Sequence, residues 1–144
     1  MSGRTIPELV ANKVKEHGTR LLFQRRDGWS WKQITWLDFD REVKNIASFL
    51  MDIGFMPGDN ALVVSSNNLD SIATQIAIYH LGGIVVPMQQ EEGSDKIIET
   101  ANNLRSKVIF LEKESLLEEL LEKEGQISDA EKIIFFSDIR IKHE

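Results

Sequence analysis

The stretch Pro57–Pro87, PGDNALVVSSNNLDSIATQIAIYHLGGIVVP, limits the possible folds more than any other part of the chain. Asn60–Ser65 is a short apolar run opened by a Pro57-Gly58-Asp59 turn. Leu69–Leu81 carries a helical pattern, with Leu69, Ile72, Ala73, Ile76, Ala77 and Leu81 together and Ile78 and Tyr79 on the other side. Ile84–Val86 is a second apolar run, entered through Gly82-Gly83 and closed by Pro87. Two short apolar strands around one helix predict a βαβ unit, and hence a parallel sheet with a right-handed crossover. A helix that is apolar on most faces is a buried one. Ile76 is therefore expected in the core, and the unit is expected inside a layered domain rather than on its rim.

The flanking segments extend this rhythm. Thr5-Ile6-Pro7-Glu8 reads as a capping box with proline in the first turn; Leu9, Val10 and Val14 are its buried stripe, and His17-Gly18 ends the helix. Leu21–Arg26 and Ser30–Thr35 flank Asp27-Gly28, a hairpin turn signal. Trp29, Trp31 and Trp36 are expected to pack across these strands and anchor the hairpin. Thr35-Trp36-Leu37-Asp38 is a second capping box, with Asp in place of Glu. Phe39, Val43, Ile46, Leu50 and Ile53 follow on one helical face, and Gly54 and Pro57 stop that helix.

Gln89–Gly93 is polar and reads as a loop. Ser94 and Asp95 suit a helix start, with Ile97, Ala101 and Leu104 as the stripe. Lys107–Leu111 is a strand. Ser115–Glu124 is a helix with Leu116, Leu117, Leu120 and Leu121 inward, and with Glu118, Glu119, Glu122 and Glu124 as a solvated face. Lys132–Phe136 is the last strand. The predicted fold class is α/β: a three-layer, doubly wound, mainly parallel sheet with an N-terminal β-hairpin near 21–35. The 144 residues amount to one domain.

Charge bears on partners. The chain has 17 Lys/Arg against 23 Asp/Glu, a net −6, so a nucleic-acid partner is not indicated. Residues 1–50 hold nine of the cations and six of the anions. The absence of cysteine excludes disulfides, thiolate metal sites and cysteine nucleophiles. The N-terminal MSGRTIPEL has no apolar core of a signal peptide. The longest apolar stretch, Ile72–Met88, is interrupted by Thr74, Gln75, His80 and a glycine pair, too short and polar to span a bilayer. A cytoplasmic location is expected.

Groups capable of chemistry are few. His17, His80 and His143 stand far apart, with no second ligand at metal spacing, so no metal site is expected. His80, on the buried helix, is read as a core histidine with one hydrogen-bond partner. Gly82-Gly83 precedes a strand, whereas phosphate cradles follow a strand and open a helix. It is read instead as a helix end needing a left-handed residue. Ser65-Ser66-Asn67-Asn68 lies between strand end and helix start, the edge where open α/β sheets bind ligands. Its plain task is capping.

The same segments carry a family resemblance. SSNN, an apolar helix and then YHLGGIVVP resemble the SEN…AxxxAGAVVVP stretch of AMP-forming acyl-CoA synthetases, of the adenylate-forming ligase superfamily. TIPEL, WKQITWLDFDREVKNIASFLMDIGFMPGD and KVIFL are similar to that family's opening segment in order and spacing, over residues 4–136. Thr35-Trp36, rather than Thr-Tyr, looks most like the long-chain fatty-acid–CoA ligases. One departure is MQQEEG after the second strand, where the family has a Thr/Ser-rich turn with Tyr or Asn.

The resemblance implies a parent enzyme that forms an acyl-adenylate and then an acyl-CoA, with ATP, Mg and CoA as cosubstrates. The family's Ser/Thr/Gly-rich phosphate loop, its later motifs and its C-terminal Lys are not among these 144 residues. No catalytic residue is therefore carried over, cofactor-binding residues stay unassigned, and no cofactor is expected to bind this chain alone. Two expectations remain open. In one, the chain is the N-terminal part of the large domain of a ligase, inactive alone, with the rest of the ligase chain as partner and with self-association when isolated. In the other, it is a stand-alone, non-catalytic binding or regulatory module.

Overall fold

The computed structural model describes residues 5–66, 68–128, 130 and 132–136. Helix α1 (Ile6–His17) leads into a hairpin of β1 (Leu21–Asp27) and β2 (Ser30–Thr35), followed by α2 (Trp36–Asp52). Then come β3 (Asn60–Val64), α3 (Leu69–His80), β4 (Ile84–Met88), α4 (Gly93–Leu104), β5 (Val108–Leu111), α5 (Glu114–Glu122) and β6 (Lys132–Phe135). Both predicted capping boxes form. The Glu8 N–H donates to Thr5 Oγ1 while the Thr5 N–H donates to Glu8 Oε2. Thr35 and Asp38 make the same reciprocal pair.

Among the described residues β1 and β2 pair antiparallel as a two-stranded sheet, and β4-β3-β5-β6 form a second, all-parallel sheet. The period of two along the strands divides the core. Ala61 and Val63 of β3, Val108 and Phe110 of β5, and Ile134 of β6 face α2 and α3. Leu62 and Val64, Ile109 and Leu111 face α4 and α5. That is the expected three-layer, doubly wound arrangement. Phe110 and Phe136 stack with ring centroids 5.8 Å apart.

Several local expectations are corrected. β4 is an edge strand among the described residues, so the βαβ unit does reach the rim of the sheet. On α3 the buried face includes Ile76 and Ile78, while Ile72 is 46% exposed and His80 is exposed at the helix end. α3 packs against α1, α2 and one face of the sheet, so an apolar residue outside those contacts is not held inward. Leu9, Leu104 and Leu121 are exposed for the same reason, since each lies at the edge of its helical stripe.

Trp29 and Trp31 do not anchor the hairpin by packing; both stand in solvent. Gln89–Gly93 contains a 3-10 turn, Gln90–Glu92, and α4 starts at Gly93, with no side chain of Ser94 or Asp95 capping it. Gly82 takes the left-handed conformation expected at the end of α3, with φ 71°. Gly83 is needed for a different reason. A Cβ there would lie 2.5 Å from Phe55 Cε1 and 2.8 Å from Ile78 Cγ2.

Candidate functional site

A doubly wound sheet has one place where successive crossovers leave in opposite directions, and ligands favour the crevice beyond the strand ends there. In this sheet β3 lies between β4 and β5, with α3 on one face and α4 and α5 on the other. The switch therefore falls between the C-terminal ends of β3 and β5. Ser65, Ser66 and Asn68 follow β3, and Glu112 follows β5.

These side chains form one network. Glu112 Oε2 accepts from the Ser66 N–H at 2.8 Å and from Ser66 Oγ at 2.9 Å. Glu112 Oε1 accepts from Asn68 Nδ2 at 2.7 Å. Asn68 is the N-cap of α3, and its Oδ1 accepts from the Ser71 N–H at 2.8 Å. Capping by the SSNN segment is thus as expected for Asn68; Asn67 lies outside the described residues. Glu112 was not singled out in the sequence. Its only signal was a carboxylate directly after a buried strand, and its partners are 44 and 46 positions away.

Beside this network, between the exits of β3 and β4, opens a cleft of about 640 Å³. Ser65, Ser66, Ser71 and Gln75 line one side, and Gln89 and Gln90 the other, with Glu91 and Glu92 at the rim. Ser71 is buried, and its Oγ accepts from Gln75 Nε2 at 3.1 Å. The lining contains hydroxyls, carboxamides and carboxylates but no Lys, Arg or His. Such a donor set suits neutral polar groups. It does not fit a nucleotide triphosphate with its metal ion, which needs cations and N–H groups aimed at the phosphates. The N-terminal end of α3, where an anion would gain from the helix dipole, already has the chain's own Glu112 carboxylate beside it.

Among the described residues no histidine lines this cleft. His80 lies at the opposite end of α3, and His17 is in α1, where its Nδ1 is buried without a partner among the described residues. His143 lies outside the described residues. Among the described residues no group of three or more His, Asp or Glu could hold a metal ion.

Residues 10–142 match the profile of the AMP-binding enzyme family. The chain belongs to that family. Among curated relatives it is 28% identical over 85 residues to a tenellin synthetase of Beauveria bassiana, covering 59% of this chain and 2% of that protein. Among solved structures it superposes on the anthranilate CoA ligase AuaEII in complex with anthranoyl-AMP with a TM-score of 0.81 at 15% identity, covering 94% of this chain and 27% of that one. A Mycobacterium tuberculosis fatty acyl CoA synthetase gives 0.80 at 14% identity, covering 95% and 27%. At these identities the superpositions establish a shared fold. The chain spans about a quarter of these two solved structures and 2% of the curated relative.

Proposed function

We propose that residues 1–144 form one domain, the N-terminal part of the large domain of an ATP-dependent acyl-CoA ligase. The family match over residues 10–142 carries this reading. The parent enzyme would activate a carboxylic acid as its adenylate and transfer the acyl group to CoA. A long-chain fatty acid is the proposed substrate class, supported by Thr35-Trp36 at the start of α2. The proposed location is cytoplasmic, and among the described residues no helix is long and apolar enough to cross a membrane.

Alone, the polypeptide is proposed to be inactive. The cleft between the exits of β3 and β4 has no Lys, Arg or His in its lining, and the sequence contains no Ser/Thr/Gly-rich loop ending in Lys. Its part in the enzyme is structural: it supplies the sheet and the helix ends on which the remaining polypeptide would rest. Among the described residues β4 and β6 are the edges of the sheet, and self-association of the isolated chain through such edges is the expected behaviour. Reading the transcript downstream of Glu144 tests the assignment. A phosphate-loop sequence in frame supports it; an immediate stop codon favours a stand-alone module.

A further inference from the structure

All three tryptophans of the chain lie between positions 29 and 36. Trp29 is 101% exposed and Trp31 64%, so the fold gains little from either ring. Trp29 sits at the hairpin tip beside Gly28. Trp31 pairs with Arg26 across the ribbon, and Gln33 with Gln24. Ile34, out of phase with Trp31, is buried. The ribbon thus has a core side, and an outer side that carries Trp31 beside Arg26. Leu21 and Phe23 add further exposed apolar surface.

The charge of this segment is opposite to that of the rest. Residues 20–35 contain Arg20, Arg25, Arg26 and Lys32 against the single acid Asp27, leaving 13 Lys/Arg against 22 Asp/Glu elsewhere. Arg20, Arg26 and Lys32 are exposed. Indole rings settle at the membrane–water boundary, where the ring leaves water and the N–H keeps a polar partner. Basic side chains beside them are drawn to anionic headgroups. An acidic body behind a basic tip would also be turned away from such a surface.

We propose that the β1–β2 hairpin is a membrane-surface anchor for anionic phospholipid. Trp29 and Trp31 enter the headgroup region, and Arg26 and Lys32, near the tip, pair with lipid phosphates and carboxylates. The attachment is interfacial, through a hairpin tip rather than a spanning helix. Nothing in this surface depends on the ligase assignment, and a catalytically silent polypeptide would still show it.

The chain's own fluorescence reads the anchor, because every tryptophan is in or next to the hairpin. The purified chain is mixed with vesicles of phosphatidylcholine alone, or of phosphatidylcholine with phosphatidylserine, and is followed by emission wavelength and co-sedimentation. A blue shift and co-sedimentation are expected only with phosphatidylserine, weakening as salt is added. Lys32→Glu and Arg26→Glu should each weaken partitioning at least about fivefold. The Trp29→Ala/Trp31→Ala double variant should abolish co-sedimentation while keeping the far-ultraviolet circular dichroism of the parent.

Several results would overturn the proposal. These are no shift with anionic vesicles, equal binding to neutral ones, or full binding by the double-tryptophan variant. A shift on adding single-stranded RNA but not vesicles would assign the surface to nucleic acid. A shift that rises with protein concentration and needs no lipid would assign it to a second copy of the chain.

Discussion

Glu112, at the end of β5, accepts a hydrogen bond from Asn68 Nδ2 at 2.7 Å, and Asn68 caps α3 through the Ser71 N–H at 2.8 Å. One carboxylate thus ties the exit of one central strand to the start of the helix that follows the other. Hydrogen bonds to charged groups contribute about 1.5–3 kcal/mol net, and loss of an N-cap costs about 0.5–2 kcal/mol. Glu112→Ala and Asn68→Ala should each lower the urea midpoint. The double variant should lose less than the sum, because the two share one bond. Strict additivity would show that the bond does not hold in solution.

Ile76 and Ile72 lie one helical turn apart on α3 and differ in burial, at 6% and 46% exposed. Truncating a buried isoleucine costs about 2–5 kcal/mol. Ile76→Ala should therefore lower the melting temperature by many degrees. Ile72→Ala should have much the smaller effect, and Glu119→Ala, in the solvated acidic face of α5, almost none. Differential scanning fluorimetry separates the three, and equal shifts for Ile76 and Ile72 would mean the helix is rotated.

Gly83 has a packing role that composition does not reveal. An added methyl would meet Phe55 and Ile78 inside van der Waals contact, and overpacking costs about 1–3 kcal/mol. Gly83→Ala should be destabilising in chemical denaturation. A neutral result would show that the Phe55 ring swings aside freely.

Asp38 reports on the cap of α2. The Thr35 backbone N–H bonded to its carboxylate holds its pKa below the ordinary aspartate value, helped by the Thr35 hydroxyl and by Arg41. A depressed folded-state pKa stabilises the protein at pH above the unfolded-state value. That contribution is lost as pH falls through the folded one. The stability gap between the parent and Asp38→Asn should be full at neutral pH and close below the usual aspartate range. A gap unchanged down to strongly acidic pH would assign the effect to packing.

How much could be read from the residues follows from what each signal measures. The capping boxes at Thr5 and Thr35, the Gly82 helix end and the parallel β3–β4 pair were legible because spacing and turn chemistry are local. Which apolar residues face inward was legible only where a helix has neighbours. Ile72 and Leu104 carry the helical period but point past the last packing partner. The tryptophans misled for a related reason, since a ring that suits cross-strand packing equally suits an exposed tip. Glu112 was illegible because its role depends on a strand order that places positions 66 and 112 side by side.

The edge strand β6 shows the same limit. In this strand Ile134 is 6% exposed and faces α2 and α3 in the core, so Ile134→Lys would place a charge there. An unpaired charge forced into a core is strongly destabilising. The variant should unfold the chain rather than only separate copies of it. Circular dichroism alongside sedimentation distinguishes the two, and a folded monomer would contradict this placement of the strand.

This chain, a member of the AMP-binding enzyme family, is proposed to carry a ligase's first segment without the means to form an adenylate. Radiolabelled pyrophosphate exchange into ATP measures that step alone, with the purified 144-residue polypeptide, magnesium and a panel of acids from acetate to long-chain fatty acids. The account predicts no acid-dependent exchange with any of them. Exchange that depends on one acid and follows the polypeptide through purification would contradict it.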